Sequence, residues 1–198
     1  MVLNSMNMKK RALFASLLLF LTALCFAGNP SQLNKKVQKE VARVFQTEPQ
    51  FEEAHVPEGV SGIDSLLKEG DQVHVIRGVE GILGYVISTH AKGRYDNFDY
   101  SVIFSEDLCV LGVLVTTYRS DHGAGICSKG WLKQFHGYQG EEIKLGKEID
   151  SISGATISAS SMVADIKRCY LVMEKLKALE FLSDCHPGSG LRPPVSQS

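Results

Sequence analysis

Two short stretches hold the residues of this chain whose types and spacing could do chemistry. The first is Asp150-Ser151-Ile152-Ser153-Gly154-Ala155-Thr156. The hydroxyls of Ser153 and Thr156 flank a Gly-Ala pair, and a long amphipathic pattern starts at once after them. Thr156 is thereby placed at or near a helix N-terminus. Free backbone N–H groups and the positive end of the helix dipole favour a phosphate there. The commoner role for such a turn is capping: Ser153 or Thr156 accepts a bond from a backbone N–H, and Gly154 relaxes the turn. The spelling is neither that of a P-loop nor the G-x-G-x-x-G of a dinucleotide fold, so no nucleoside triphosphate or dinucleotide is indicated.

The second stretch is the polar loop Tyr118 to Gly125, which carries two glycines directly after the most β-branched segment of the chain. Loops that leave a strand often serve binding sites, which makes Tyr118, His122 and Gly123 candidate ligand contacts. Trp131 is a further candidate for an aromatic wall, but it shares an apolar face with Leu132 and Phe135 and reads as core. His74 lies among apolar neighbours and reads as a sheet histidine. None of the five cysteines lies in a C-x-x-C pair, which removes support for zinc or thioredoxin chemistry. Leu182 stands where a haem-attachment motif ending in Cys185-His186 would need its first cysteine. No metal-ligand set and no acid–base catalytic set emerges.

These residues need elements to hold them. Leu33, Val37, Val41, Val44 and Phe45 follow a helical period, predicting a helix over 31–47 with Ser31 as its N-cap. Residues 50–70 read as a mixed connector with a short helical turn. From Gln72 the pattern becomes β-like: strands are predicted over 73–76, 81–90, 98–105 and 108–118, the last two joined at Glu106-Asp107. A short helix is expected over 128–137, a strand-like return over 143–149, and a long helix over 157–181. The fold class is therefore α+β, an antiparallel meander of about four strands packed with helices.

The 198 residues allow one domain with appendages, and 44% hydrophobic content is ordinary for a globular chain. A net charge of −1 argues against nucleic acid as a partner. Lys9, Lys10 and Arg11 precede an apolar run from Ala12 to Ala27, and small residues stand before Gly28. This reads as a secretory signal peptide, with an uncleaved N-terminal anchor as the alternative. The expected layout is leader or anchor at 1–27, helix and connector at 28–72, the main domain at 73–182 and a disordered tail at 183–198.

Asp150-x-x-Ser153-Gly154-Ala155-Thr156 resembles the D-x-x-[ST]-G-A-[ST] flavinylation motif of the FMN-binding domain family at every specified position. That family includes the C subunit of the sodium-translocating NADH:quinone reductase and the G subunit of the Rnf complex. Gly84-Tyr85-Val86 followed by Ala91-Lys92-Gly93 resembles its opening strand and turn, and Tyr118 to Gly125 resembles its polar Gly-x-Gly loop. The likeness runs over about residues 73 to 175. One departure is Ser120-Asp121-His122-Gly123-Ala124-Gly125, where the membrane-complex relatives often read E-T-P-G-L-G.

The resemblance implies FMN attached by a phosphoester to Thr156, installed from FAD by a magnesium-dependent flavin transferase. Ser153, Gly154 and Ala155 would shape the turn, and Asp150 would matter for modification more than for electron transfer. It implies an exported electron-transfer flavoprotein, in the periplasm or on the outer face of the cytoplasmic membrane. Its electron donor and acceptor proteins are expected to be membrane-associated. The alternatives are an exported ligand- or protein-binding module without flavin, or a small flavin-dependent reductase.

Overall fold

The computed structural model describes residues 33–54, 56 and 62–182. The expected leader or anchor, Ser31 and the expected tail lie outside the described residues.

Helix α1, Lys35–Phe45, starts after Asn34, whose side chain accepts a bond from the Lys36 N–H at 2.9 Å. Five strands follow: β1 Gln50–Glu53, β2 Gln72–Arg77, β3 Ile82–Lys92, β4 Asn97–Ser105 and β5 Val110–Thr117. They form one antiparallel sheet in sequence order. Then come a 3₁₀ turn at Ala124–Cys127, the single-turn helix α2 at Lys129–Leu132, a second 3₁₀ turn at Lys133–Phe135, and the long helix α3 at Thr156–Ala178. The fold is α+β, a meander with helices on it.

The central strands bury both faces. Ile76, Val86 and Ile103 form one apolar layer with Leu33, Val37 and Val41 under α1. Val75, Tyr85, Ile87, Tyr100 and Val102 face the larger core with Met162, Ile166, Cys169 and Met173 of α3. Each such side chain taken from water contributes roughly 1.5–3 kcal/mol, so the sheet fixes α3 and with it the position of Thr156.

Polar bonds add orientation. Arg168 of α3 donates to Asp165 at 2.6 Å, to Asp71 at 2.6 Å and to the Leu66 carbonyl at 2.7 Å. Asp165 also accepts from Lys68 and, at 2.7 Å, from the buried Tyr100 hydroxyl. Burial alone would raise the Asp165 carboxyl, but these hydrogen bonds outweigh it and hold its pKa below the ordinary value. Burial pushes the neighbouring Cys169 thiol up to about 12, which leaves it protonated and inert.

Beyond small shifts at the ends of α1 and α3, four elements differ from the sequence expectation. β1 falls inside the expected connector: four residues are too few for a readable alternation, and it is a strand because Phe51 and Glu52 pair with Ile76 and Val75. β5 starts at Val110, because Leu108 adopts a positive φ of 61° in the turn. The expected helix over 128–137 is cut short, since Gly137 and Tyr138 are drawn into hydrogen bonds with Val110. The expected strand over 143–149 is a closed loop with one isolated bridge, Leu145 to Ile149; the Gly146 N–H bonds back to the Ile149 carbonyl at 2.7 Å.

Candidate functional site

The turn before α3 is closed by the Ala155 N–H, which donates to the Ile152 carbonyl at 3.0 Å. Gly154 takes the left-handed conformation, with φ +77°, which lets the chain reverse into the helix. Ala155 is the N-cap residue and Thr156 the first helical residue. Among the described residues no side chain caps the N-terminus of this 23-residue helix. The capping expected of Ser153 or Thr156 is therefore not made: Thr156 has already entered the helix, and alanine occupies the cap position. The N-terminal N–H groups, which have no partner within a helix, face an exposed turn.

A shallow cavity of ≈ 170 Å³ opens at this helix end, lined by Arg94, His122, Gly123, Gly154, Ala155, Thr156, Ile157 and Ser158. Arg94, His122 and Thr156 are exposed, and Ser158 is buried. The lining contains a guanidinium, an imidazole and two hydroxyls but no carboxylate. That donor set suits an anion.

Two connections build its walls. The first is the loop after β5. The Tyr118 hydroxyl donates to the His122 carbonyl at 2.7 Å and lies 3.2 Å from Ser158 Oγ. The His122 N–H donates to Ser120 Oγ at 3.1 Å, and Arg119 is bound to Asp99 at 2.5 Å. The second wall is the β3–β4 hairpin, whose turn is closed by the Gly93 N–H to the Asp96 carbonyl at 2.9 Å. Ser161 of α3 donates to the Lys92 carbonyl and ties the hairpin to the helix. At its tip the Arg94 guanidinium lies 5.3 Å from the Tyr95 ring centroid, and the Tyr95 ring lies 5.8 Å from that of His122.

Of the residues singled out in the sequence, Thr156, Gly154, Ala155, His122 and Gly123 meet at this cavity. Tyr118 lies behind them and holds the loop. Ser153 is exposed outside the lining. Asp150 is further back: its N–H donates to Gln134 Oε1 and its carbonyl accepts from the Trp131 indole, each at 2.8 Å. Its backbone is thus fixed while the residue is exposed. Trp131 is buried edge-on against Phe135, with ring centroids 5.3 Å apart, and lines the core rather than the cavity.

No protein-family model matches the chain. No curated protein matches it either. Among solved structures it is similar to the crystal structure of Shewanella oneidensis NqrC, with 19% sequence identity and a TM-score of 0.44. The match covers 55% of this chain and 61% of that one, so less than two thirds of the other protein's length is represented. The likeness is distant, and the reading of the site rests on its own residues.

Sequence reasoning missed Arg94, Ile157 and Ser158. Arg94 left one available signal: it follows Gly93 in the turn between two predicted strands, a place where a charged side chain is carried out to a hairpin tip. Ile157 and Ser158 are absorbed into the helical pattern.

Proposed function

We propose that this protein is an electron-transfer flavoprotein carrying FMN on Thr156 through a phosphoester bond. The observation that carries this reading is the exposed Thr156 at the first position of an uncapped 23-residue helix, beside a cavity with basic and hydroxyl lining and no carboxylate. A phosphate esterified there meets free helix N–H groups and the positive end of the dipole. The D-x-x-S-G-A-T spelling adds the attachment chemistry. In that chemistry the Thr156 hydroxyl displaces AMP from FAD on a magnesium-dependent flavin transferase and loses its proton as the new phosphorus–oxygen bond forms.

The cavity volume supports a tether over simple binding. Pockets that enclose a drug-sized ligand run to roughly 300–1,000 Å³. A cavity of ≈ 170 Å³ is below that range; Arg94, Gly123 and the start of α3 would hold the phosphate end of the group, and the cavity would not enclose the whole of it. A covalent bond retains a cofactor that burial cannot, and a surface ring suits exchange with a protein donor and acceptor. When bound, FMN supplies the redox chemistry. The chain positions it: the sheet and the Arg168 network hold α3, Tyr118 and Ser161 hold the two walls, and the fixed backbone of Asp150 presents its side chain for recognition by the transferase. Within this proposal the protein is exported and works outside the cytoplasm, with partners at the membrane.

The test is co-expression with a flavin transferase, followed by a denaturing gel under ultraviolet light and intact mass. The wild type is expected to fluoresce and to gain the FMN increment, with Thr156→Ala dark and Asp150→Ala loaded poorly but folded. A correctly folded wild type that stays dark overturns the reading. A phosphate-binding module without flavin, which the small cavity also suits, would then take its place.

A further inference from the structure

We propose that Arg94, at the tip of the β3–β4 hairpin, is the phosphate-binding side chain of this site, and that Tyr95 positions it. For the phosphate of an ester on Thr156 this rests on the flavin reading above; as an anion site it does not.

Arg94 lines the cavity together with the first three residues of α3, is exposed, and has no ion-pair partner among the described residues. The contrast with Arg119 is direct. Arg119 lies nearby on the β5 loop but is spent on Asp99 at 2.5 Å and on the Asn97 carbonyl at 2.9 Å. Arg94 is thus the guanidinium in the cavity lining, and its donors remain available to a ligand. Arginine offers a planar fork that matches phosphate oxygens, and its bonds to them are charge-assisted.

Something must hold a side chain this long in place. Tyr95 is 67% exposed, an unusual position for an aromatic ring, and its contacts account for it. The Arg94 guanidinium lies over the ring at 5.3 Å, and His122, the other basic lining residue, lies against it at 5.8 Å. One ring therefore braces both nitrogen-bearing side chains at the cavity mouth. Cation–π contact orients the guanidinium while leaving its N–H edge free. The hairpin is tied to the helix by the bond from Ser161 to the Lys92 carbonyl.

The experiment uses the full chain without flavin and inorganic phosphate as the probe, read by the amide shifts of Thr156, Ile157 and Ser158. Phosphate is expected to move these three peaks in the wild type. Arg94→Gln should weaken the apparent affinity about tenfold, the loss expected for one charge-assisted pair. Tyr95→Phe should stay near wild type, since the ring persists, and Arg94→Lys should lie between the wild type and Arg94→Gln, since the charge persists but the planar fork does not. Tyr95→Ala should fall between, and Arg119→Gln should match the wild type. Unmoved peaks in the wild type, or equal affinity in Arg94→Gln, overturn the proposal. Failure of the flavin reading looks different: phosphate binding with the Arg94 dependence intact, but no in-gel fluorescence after co-expression.

Discussion

Tyr118 donates its hydroxyl hydrogen to the backbone carbonyl of His122 at 2.7 Å. The bond spans four residues of the loop and turns the phenol into a strut beneath the cavity wall, with its ring packed 5.7 Å from that of Phe98. Tyr118→Phe keeps the ring contact and removes the strut. The expected cost in global stability is about 1 kcal/mol, the usual net worth of one such bond. The midpoint in urea should fall by roughly 0.5 M, and the loop should respond locally: faster amide exchange over residues 119–124 and, on the flavin proposal, slower loading. Unchanged exchange in the loop would show that the strut is dispensable.

The buried network on the other side of α3 makes a stronger stability prediction. Asp165 has a side chain only 6% exposed and faces Arg168, Lys68 and Tyr100. Asp165→Asn leaves Arg168 with one carboxylate fewer and removes the acceptor charge that both cations share. Breaking a buried pair in this way costs about 3 kcal/mol. Because the folded pKa of Asp165 lies below its unfolded value, its contribution is fully present above the unfolded pKa. It is lost as pH falls through the folded value. Urea titrations should therefore show the wild type and Asp165→Asn differing most at neutral pH and converging in acid.

The D-x-x-S-G-A-T turn, the long helix and the four long strands were legible because each is signalled locally, by spelling or by period. β1 was not, since a four-residue edge strand exists only through its partner β2. The short helix after the loop was overread because the apolar face of Trp131, Leu132 and Phe135 says nothing of the bonds by which Val110 captures Gly137 and Tyr138. Thr156, His122 and Gly123 could be named in advance, one from a motif and two from a loop. Arg94 could not, because its place at the cavity depends on the β3–β4 hairpin folding back to α3 at Ser161, a contact across 69 residues.

His74 carries a second pH dependence, in a more accessible range. It is buried on β2 opposite Glu53 of β1. Burial lowers its pKa below the ordinary value, and the Glu53 charge opposes this only in part. The unfolded chain thus takes up a proton at a pH where the folded chain still excludes it. Stability is full above the unfolded pKa, near 6.5, and is lost as pH falls from there through the folded value. The urea midpoint of the wild type should drop as the buffer is taken from neutral pH to mildly acidic pH. His74→Gln should begin less stable but show a flatter profile, and equal slopes in the two proteins would assign the dependence elsewhere.

Gly123 and Gly154 both line the cavity, and both have positive φ, +82° and +77°. Their surroundings differ. A Cβ on Gly154 would meet nothing within 4 Å, whereas one on Gly123 would lie 2.7 Å from the Tyr118 hydroxyl oxygen. Gly154→Ala should therefore cost only the backbone strain, about 1 kcal/mol. Gly123→Ala should cost about 2–3 kcal/mol, because strain is joined by displacement of the strut. The two terms separate in a double-mutant cycle. Tyr118→Phe removes the oxygen that the added methyl group would strike, so Gly123→Ala should be less costly in that background by about 1 kcal/mol. Gly154→Ala should be additive with Tyr118→Phe. Strict additivity at Gly123 would mean that the loop relaxes away from Tyr118, and that the strut does not set the shape of the wall.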